Sequence, residues 1–215
     1  MKKKNALILG ISCWIIFALL LIAVKCKMNW IQSFDYYGYN LVQPTSPFKT
    51  NIMIVLTHCG DPIILQCITI LIALILWWHG RVNESLWYVF LQFIGYSLVI
   101  LVKYNVLRQR PTDKLFPAHG YSFPSGHTFA TTVFVLTLLA LITPHIKKST
   151  NRYLLRLIGV IWIIIIMVTR VYLRAHFTSD VIGGLLLASG WWLIMNAERH
   201  QLSQWLINPL LKNLH

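Results

Sequence analysis

Three short polar runs interrupt an otherwise apolar chain of 215 residues. The first, Lys103-Tyr104-Asn105-Val106-Leu107-Arg108-Gln109-Arg110-Pro111, sets a lysine and an arginine seven positions apart at the end of an apolar stretch. A continuous helix would bring both cations to one face, about 10 Å apart along its axis. Pro111 predicts that such a helix stops at Arg110, freeing the guanidinium to reach sideways. The second run is Phe123-Pro124-Ser125-Gly126-His127. Ser125 reads as an N-cap, and the first amides beyond it, from Gly126 onward, lack partners inside the helix. A helix start of this kind binds anions, phosphate above all, and His127 in its first turn is placed to protonate a leaving oxygen. The third run, Thr169-Arg170-Val171-Tyr172-Leu173-Arg174-Ala175-His176-Phe177-Thr178-Ser179-Asp180, places a carboxylate four residues after a histidine. If that turn is helical, Asp180 accepts the Nδ1 proton of His176 and leaves Nε2 bare and nucleophilic.

Each run has a plainer explanation on its own. The cations could simply flank a membrane span, Ser125 could only cap a helix, and Asp180 could only cap the next one. Together they supply cations, an anion-binding helix start and two histidines, one of them with a carboxylate. Phosphoryl transfer needs that set: charge neutralisation around phosphorus, an in-line nucleophile and an acid for the departing oxygen. Such a site requires neither a metal nor another cofactor.

The elements that must position these residues are membrane spans. A composition that is 57% hydrophobic and only 12% charged is too apolar for an ordinary soluble fold. Six stretches, Ala6–Val24, Pro62–Trp78, Ser85–Val102, Thr128–Thr143, Leu154–Thr169 and Val181–Ala197, each approach the ~20 residues needed to cross a bilayer. The expected fold class is therefore all-α, a six-transmembrane-helix bundle, with residues 1–215 forming a single integral membrane domain. Alternating the loops across the bundle puts all three polar runs on one side. The aromatic-rich segment Lys25–Gly60 reads either as an interfacial helix and loop between spans one and two or as a plain surface connection.

The net charge of +13 lies mostly between spans, so the basic residues suit anionic lipid rather than nucleic acid. Lys103, Arg110 and Arg170 are explained by the site. Setting them aside, the side bearing Lys2–Lys4, Arg81, Lys147, Lys148, Arg152, Arg156, Arg199 and Lys212 carries the larger share of Lys and Arg. The positive-inside rule then puts both termini in the cytoplasm and the polar runs on the outer face of a plasma membrane. The first apolar run is longer than a signal-peptide core and has no small-residue cleavage site, so an uncleaved first helix is expected. Cys13, Cys26, Cys59 and Cys67 show no metal spacing.

The pattern Lys-x6-Arg-Pro, Pro-Ser-Gly-His and Ser-Arg-x5-His-x3-Asp, reproduced here in order and spacing, resembles that of the type-2 phosphatidic acid phosphatase superfamily. Thr169 stands where that family usually has serine, and keeps a hydroxyl able to reach phosphate. The resemblance implies that His176 attacks phosphorus to give a phosphohistidine, with Asp180 holding its ring. It implies that His127 protonates the leaving group and then activates water. Lys103, Arg110 and Arg170 would grip the phosphate oxygens, with Ser125 and the Gly126 amide completing the cradle. It further implies a lipid phosphate or pyrophosphate substrate, such as undecaprenyl pyrophosphate, phosphatidylglycerol phosphate or phosphatidate. A phosphotransferase passing the same phosphate to another lipid or sugar is the alternative. His58, Asp61, Arg108, Asp113, Lys114, His119, Tyr172 and Arg174 match no family catalytic position and are read as headgroup contacts. The substrate lipid and the oligomeric state are not legible. Gly183, Gly184 and Gly190 suit close helix packing inside the bundle or between copies.

Overall fold

The computed structural model describes residues 2–204, so Lys212, counted above among the cytoplasmic charges, lies outside the described residues. The described residues form helices joined by loops, with no strand among them, and six helical segments are long and apolar enough to cross a membrane. In chain order the main helices are α1 (Lys3–Lys25), α2 (Asn29–Leu41), α3 (Pro47–His58), α4 (Pro62–Trp78), α5 (Val82–Val106), α6 (Gly126–Ile142), α7 (Ser149–Tyr172) and α8 (Thr178–Ala197). Most spans extend beyond the apolar stretches by a few polar residues. Helical hydrogen bonding continues into ends that can be capped, whereas hydropathy stops at the first charged or polar side chain.

The second span has its expected bounds as α4, Pro62–Trp78, but the connection before it folds into two helices, α2 and α3, and the apolar stretch reaches back to Pro47 across the α3–α4 turn. Thr50, Asn51, Thr57 and His58 lower the apparent hydropathy of α3. They are accommodated because Thr57 is buried and Thr50 bonds the Tyr172 hydroxyl of α7 at 3.1 Å. α2 buries a narrow stripe, Ile31, Asp35 and Gly38, against the bundle and leaves Trp30, Phe34, Tyr36 and Tyr37 exposed. An aromatic face of this kind suits the headgroup layer.

α6 lies at the centre, packed against α4, α5, α7 and α8. Its first half, from Gly126 to Val133, is buried apart from partly covered His127. α1 lies along α8. The apolar faces of α1 (Ile8, Ile15, Leu19, Ile22) and α7 (Leu157, Ile161, Ile164) are exposed, as lipid-facing surfaces must be. Cross-helix bonds to main-chain carbonyls hold the interior: Trp191 Nε1 donates to Leu91 O at 2.9 Å and Gln92 Nε2 to Ala130 O at 3.3 Å.

The glycines of α8 serve packing within the bundle. A Cβ at Gly184 would lie 2.6 Å from the Ser125 carbonyl oxygen, and one at Gly190 would lie 2.2 Å from Trp14 Cδ1 on α1. Only glycine lets α8 come this close to the start of α6 and to α1 at once. At the far end of these helices Lys3 Nζ donates to Glu198 Oε2 at 2.8 Å, so the start of α1 and the end of α8 lie together, away from the three polar runs.

Candidate active site

The end of α3, the start of α4, the end of α5, the start of α6, the end of α7 and the turn into α8 meet at one end of the bundle. With the loop before α6 they enclose a cleft of about 400 Å³. Lys103, Arg110, Gly126, His127, Arg170 and His176 line it, so residues from all three polar runs converge as expected. Ser125 and Asp180 do not line it. They stand behind Gly126 and His176 respectively, both fully buried.

His176 sits in the turn between α7 and α8. This turn is not a continued helix, since α7 ends at Tyr172, Arg174 takes a left-handed φ of 53° and α8 starts at Thr178. The expected pairing survives because Asp180 lies in the first turn of α8. Its Oδ2 accepts from Phe177 N at 2.9 Å and lies 3.4 Å from His176 Nδ1. Asp180 therefore caps a helix and faces the histidine at once. Burial, and then the cations Arg110, Arg170 and Lys103, hold the His176 imidazole well below its ordinary pKa, so the ring is neutral at pH 7. With its proton on Nδ1 toward Asp180, Nε2 is an unprotonated lone pair. That atom lies 3.0 Å from Arg110 Nη1, which donates to it.

The cations reach this point by routes other than the expected one. α5 ends at Val106 with Leu107 in a left-handed conformation (φ 56°), four residues short of Arg110, so Lys103 and Arg110 do not share a helix face. The restriction that Pro111 places on Arg110 is real, but the chain has already left the helix. Arg110 is instead braced by carbonyls, with Nε donating to His119 O at 3.1 Å and Gly120 O at 3.0 Å, and Nη1 to Ala175 O at 2.6 Å. Lys103 Nζ donates to Tyr121 O at 2.6 Å and Ser122 O at 3.3 Å. Arg170, buried at 2% exposure, donates from Nη1 to Thr57 Oγ1 at 2.8 Å, and its buried Nε has no partner among the described residues. Among the described residues all three cations bond only neutral groups; no carboxylate lies within ion-pair distance of any of them.

Across the cleft, Ser125 caps α6 as expected, its Oγ accepting from Thr128 N at 3.4 Å and from Thr128 Oγ1 at 3.1 Å. Its amide donates to Asp180 O at 2.9 Å, which joins the starts of α6 and α8 directly. His127 stands in the first turn, with Nε2 3.6 Å from Asp61 Oδ2. Asp61 also caps α4, accepting from Ile63 N at 2.8 Å, and the Asp-Pro pair at 61–62 was a legible helix start.

Several polar residues read as headgroup contacts are structural. Arg108 bonds Asp35 and Asp180 at 2.6 Å each, Arg174 pairs with Asp113, and Tyr172 is buried against Ser46 and Thr50 of α3. Thr169 also differs from expectation. It is fully buried, donates to Ile166 O at 2.7 Å and lies 3.2 Å from the Thr57 hydroxyl, so it braces the group that holds Arg170 and does not face the cleft. Sequence reasoning missed Asp35 and Thr57 altogether. His58 and His119 do line the cleft, with Phe116 edge-on to His58 at 5.5 Å.

A membrane bundle with cations, a helix start and two histidines gathered at one end has the build of a membrane phosphatase, and the chain belongs to the PAP2 superfamily, whose family model matches residues 84–202. The chain is 24% identical over 171 residues to phosphatidylglycerophosphatase B of Bacillus subtilis (strain 168), an alignment covering 78% of this chain and 84% of the relative. The crystal structure of a transmembrane PAP2 type phosphatidylglycerolphosphate phosphatase from Bacillus subtilis superposes with a TM-score of 0.78 at 22% identity. That superposition covers 93% of this chain and 98% of the other.

Proposed function

We propose that this membrane phosphatase hydrolyses a lipid phosphate, with phosphatidylglycerophosphate as the leading candidate, through a phosphohistidine on His176. One observation carries the reading: three cations that bond only neutral groups line one cleft with an unprotonated imidazole nitrogen, to which one of them, Arg110, already donates. Charge left unmatched in a partly desolvated site is costly, and a phosphate group supplies what these cations lack. The name of the Bacillus subtilis relative favours phosphatidylglycerophosphate over the other lipid phosphates.

In this reading Arg110, Arg170 and Lys103 bind the non-bridging oxygens, and the Gly126 amide at the start of α6 adds a donor. His176 Nε2 attacks phosphorus; the N–P bond forms as the bond to the lipid oxygen breaks, and His127 gives that oxygen its proton. Asp180 holds the Nδ1 proton through the step. His127 then takes a proton from water, hydroxide displaces His176 from phosphorus, and inorganic phosphate leaves. No residue in this scheme calls for a metal.

We further place both termini in the cytoplasm and the cleft on the outer face. This is supported by the loop charges and by the cleft lying at the end of the bundle opposite the Lys3–Glu198 pair.

The test is phosphate release by purified, detergent-solubilised protein from phosphatidylglycerophosphate, undecaprenyl pyrophosphate and phosphatidate in parallel, with EDTA present. Release that persists in EDTA, is fastest from phosphatidylglycerophosphate and vanishes in His176→Ala is expected. Release that needs added metal, or that survives His176→Ala, overturns the mechanism; preference for another lipid overturns the substrate.

A further inference from the structure

Behind His176, away from the cleft, Asp180 belongs to a largely buried cluster whose other members the mechanism above does not use. It joins residues far apart in the chain: Asp35 on α2, Arg108 in the loop after α5, and Ser179 and Asp180 in the first turn of α8. Arg108 Nη1 donates to Asp180 Oδ1 at 2.6 Å and to Ser179 Oγ at 2.7 Å. Arg108 Nη2 donates to Asp35 Oδ2 at 2.6 Å. Asp35 in turn accepts from Ser179 N at 2.8 Å through Oδ1, and from Ser179 Oγ at 3.0 Å through Oδ2. The guanidinium lies over the Phe177 ring, 4.2 Å from its centroid.

The two oxygens of Asp180 therefore have separate tasks. Oδ1 goes to Arg108, while Oδ2 is left for Phe177 N and His176 Nδ1. A carboxylate free to rotate about its last bond could not keep one chosen oxygen on the histidine. The fork of the guanidinium fixes Asp180 through one nitrogen and is itself fixed by Asp35 through the other. Asp35 gains its hold on α8 from the Ser179 amide, which an Asn side chain could also bond, and its hold on Arg108 from charge.

We infer that Arg108 and Asp35 are positioning residues for the phosphatase reaction: Arg108 turns Asp180 so that it orients His176, and Asp35, carried by the aromatic surface helix α2, fixes Arg108. The inference rests on the reading of His176 and Asp180 given above. It makes α2 part of the catalytic apparatus although α2 contributes no residue to the cleft. It also assigns Arg108, two residues before Arg110 in the first polar run, a task unlike that of its neighbour. Arg110 meets the nucleophile from the front, and Arg108 sets it from behind.

The test compares Arg108→Gln, Arg108→Lys and Asp35→Asn with the parent, each also in an Asp180→Asn background. The measurements are steady-state kcat and KM and the single-turnover rate of phosphohistidine formation, with His176→Ala as the blank. Loss of a partner that orients a functional histidine typically costs about 10- to 100-fold. Arg108→Gln is expected to lower kcat and phosphohistidine formation by that order with KM near the parent value. Arg108→Lys should recover part of the loss, because an ammonium reaches one carboxylate at a time. Asp35→Asn should show a smaller loss of the same kind. In the Asp180→Asn background these changes should add little, since the group they orient is already altered.

An unchanged kcat, a change confined to KM, or the same loss factor with and without Asp180 overturns the inference. Removing a cation from between two buried carboxylates is destabilising. If Arg108→Gln does not yield monodisperse protein, the isosteric Asp35→Asn pair decides on the same criteria. Should His176→Ala or Asp180→Asn retain full activity, the reading of the site itself fails; if both lose activity and Arg108→Gln does not, only the positioning inference does.

Discussion

The two sides of His176 differ in how their charges are matched. On the rear side one guanidinium is shared by two carboxylates, with contacts of 2.6–3.0 Å closed around Ser179. On the front side three cations are held by carbonyls and a hydroxyl, and His127 stands 3.6 Å from Asp61. Even the hollows differ: the cations of the cleft in front have no carboxylate partner among the described residues, whereas in a cavity of about 330 Å³ behind, under α2, Arg108 and Arg174 stand beside their partners Asp35 and Asp113. The rear is a finished structure, its charged groups paired within the protein. The front is a set of donors held by weaker acceptors, which a substrate anion can take over. In the reading proposed above, precision in His176 and adaptability toward the phosphate thus belong to different regions.

The largest expected effect tests that division directly. His176→Ala should abolish phosphate release, by at least about 10⁴-fold, as loss of a nucleophile does. His127→Ala removes a proton donor and should cost about 10²- to 10⁴-fold. It should also trap phosphoenzyme after rapid mixing with substrate, because water is then poorly activated; equal loss of phosphoenzyme in both variants would erase the distinction between nucleophile and acid.

Gly184→Ala probes the packing that brings the two sides together. The added methyl must displace α8 from the Ser125 carbonyl, and overpacking of this sort costs about 1–3 kcal/mol. A lowered thermal midpoint in detergent should report it.

The pH dependence follows from His176. Its pKa in the folded protein is depressed, so the neutral form persists on acidification below the usual imidazole value of about 6.5. The acid limb of kcat/KM assigned to this ring should therefore lie below that value. The same shift makes the unfolded chain bind a proton that the folded one refuses. Its contribution to stability is complete above about pH 6.5 and is lost as the pH falls from there toward the folded pKa. The smallest effect is expected from Asp61→Asn. This partly exposed pair is worth about 0.2–1 kcal/mol, so a change in kcat of about fivefold or less should follow. A loss as large as that of His127→Ala would place Asp61 among the reacting groups.

Much of this was legible because the chemistry lies in local runs. Ser125-Gly126-His127 is a helix start in sequence and in structure, and Asp180 reaches His176 because both lie within five residues. What was not legible depends on contacts without a fixed spacing. Asp35 and Arg108 are 73 residues apart and meet only because α2 folds back onto α8. α3 was hidden by threonines whose hydroxyls find partners on α7, and the hydroxyl of Thr169 was assigned to phosphate although it faces Thr57. The stop read from Pro111 carries α5 too far, since nothing in a residue pattern announces that Leu107 adopts a left-handed conformation.

The bond from the Ser125 amide to the Asp180 carbonyl joins α6, which carries His127, to α8, which begins two residues after His176, at their site ends. Helices answer a thicker or thinner bilayer by changing tilt. With α6 and α8 tied at one end and held close by Gly184, that adjustment should fall on their opposite ends and leave the spacing of His127 and His176 unchanged. In the reading proposed above, the reacting geometry would then be insulated from the elasticity of the membrane that supplies the substrate.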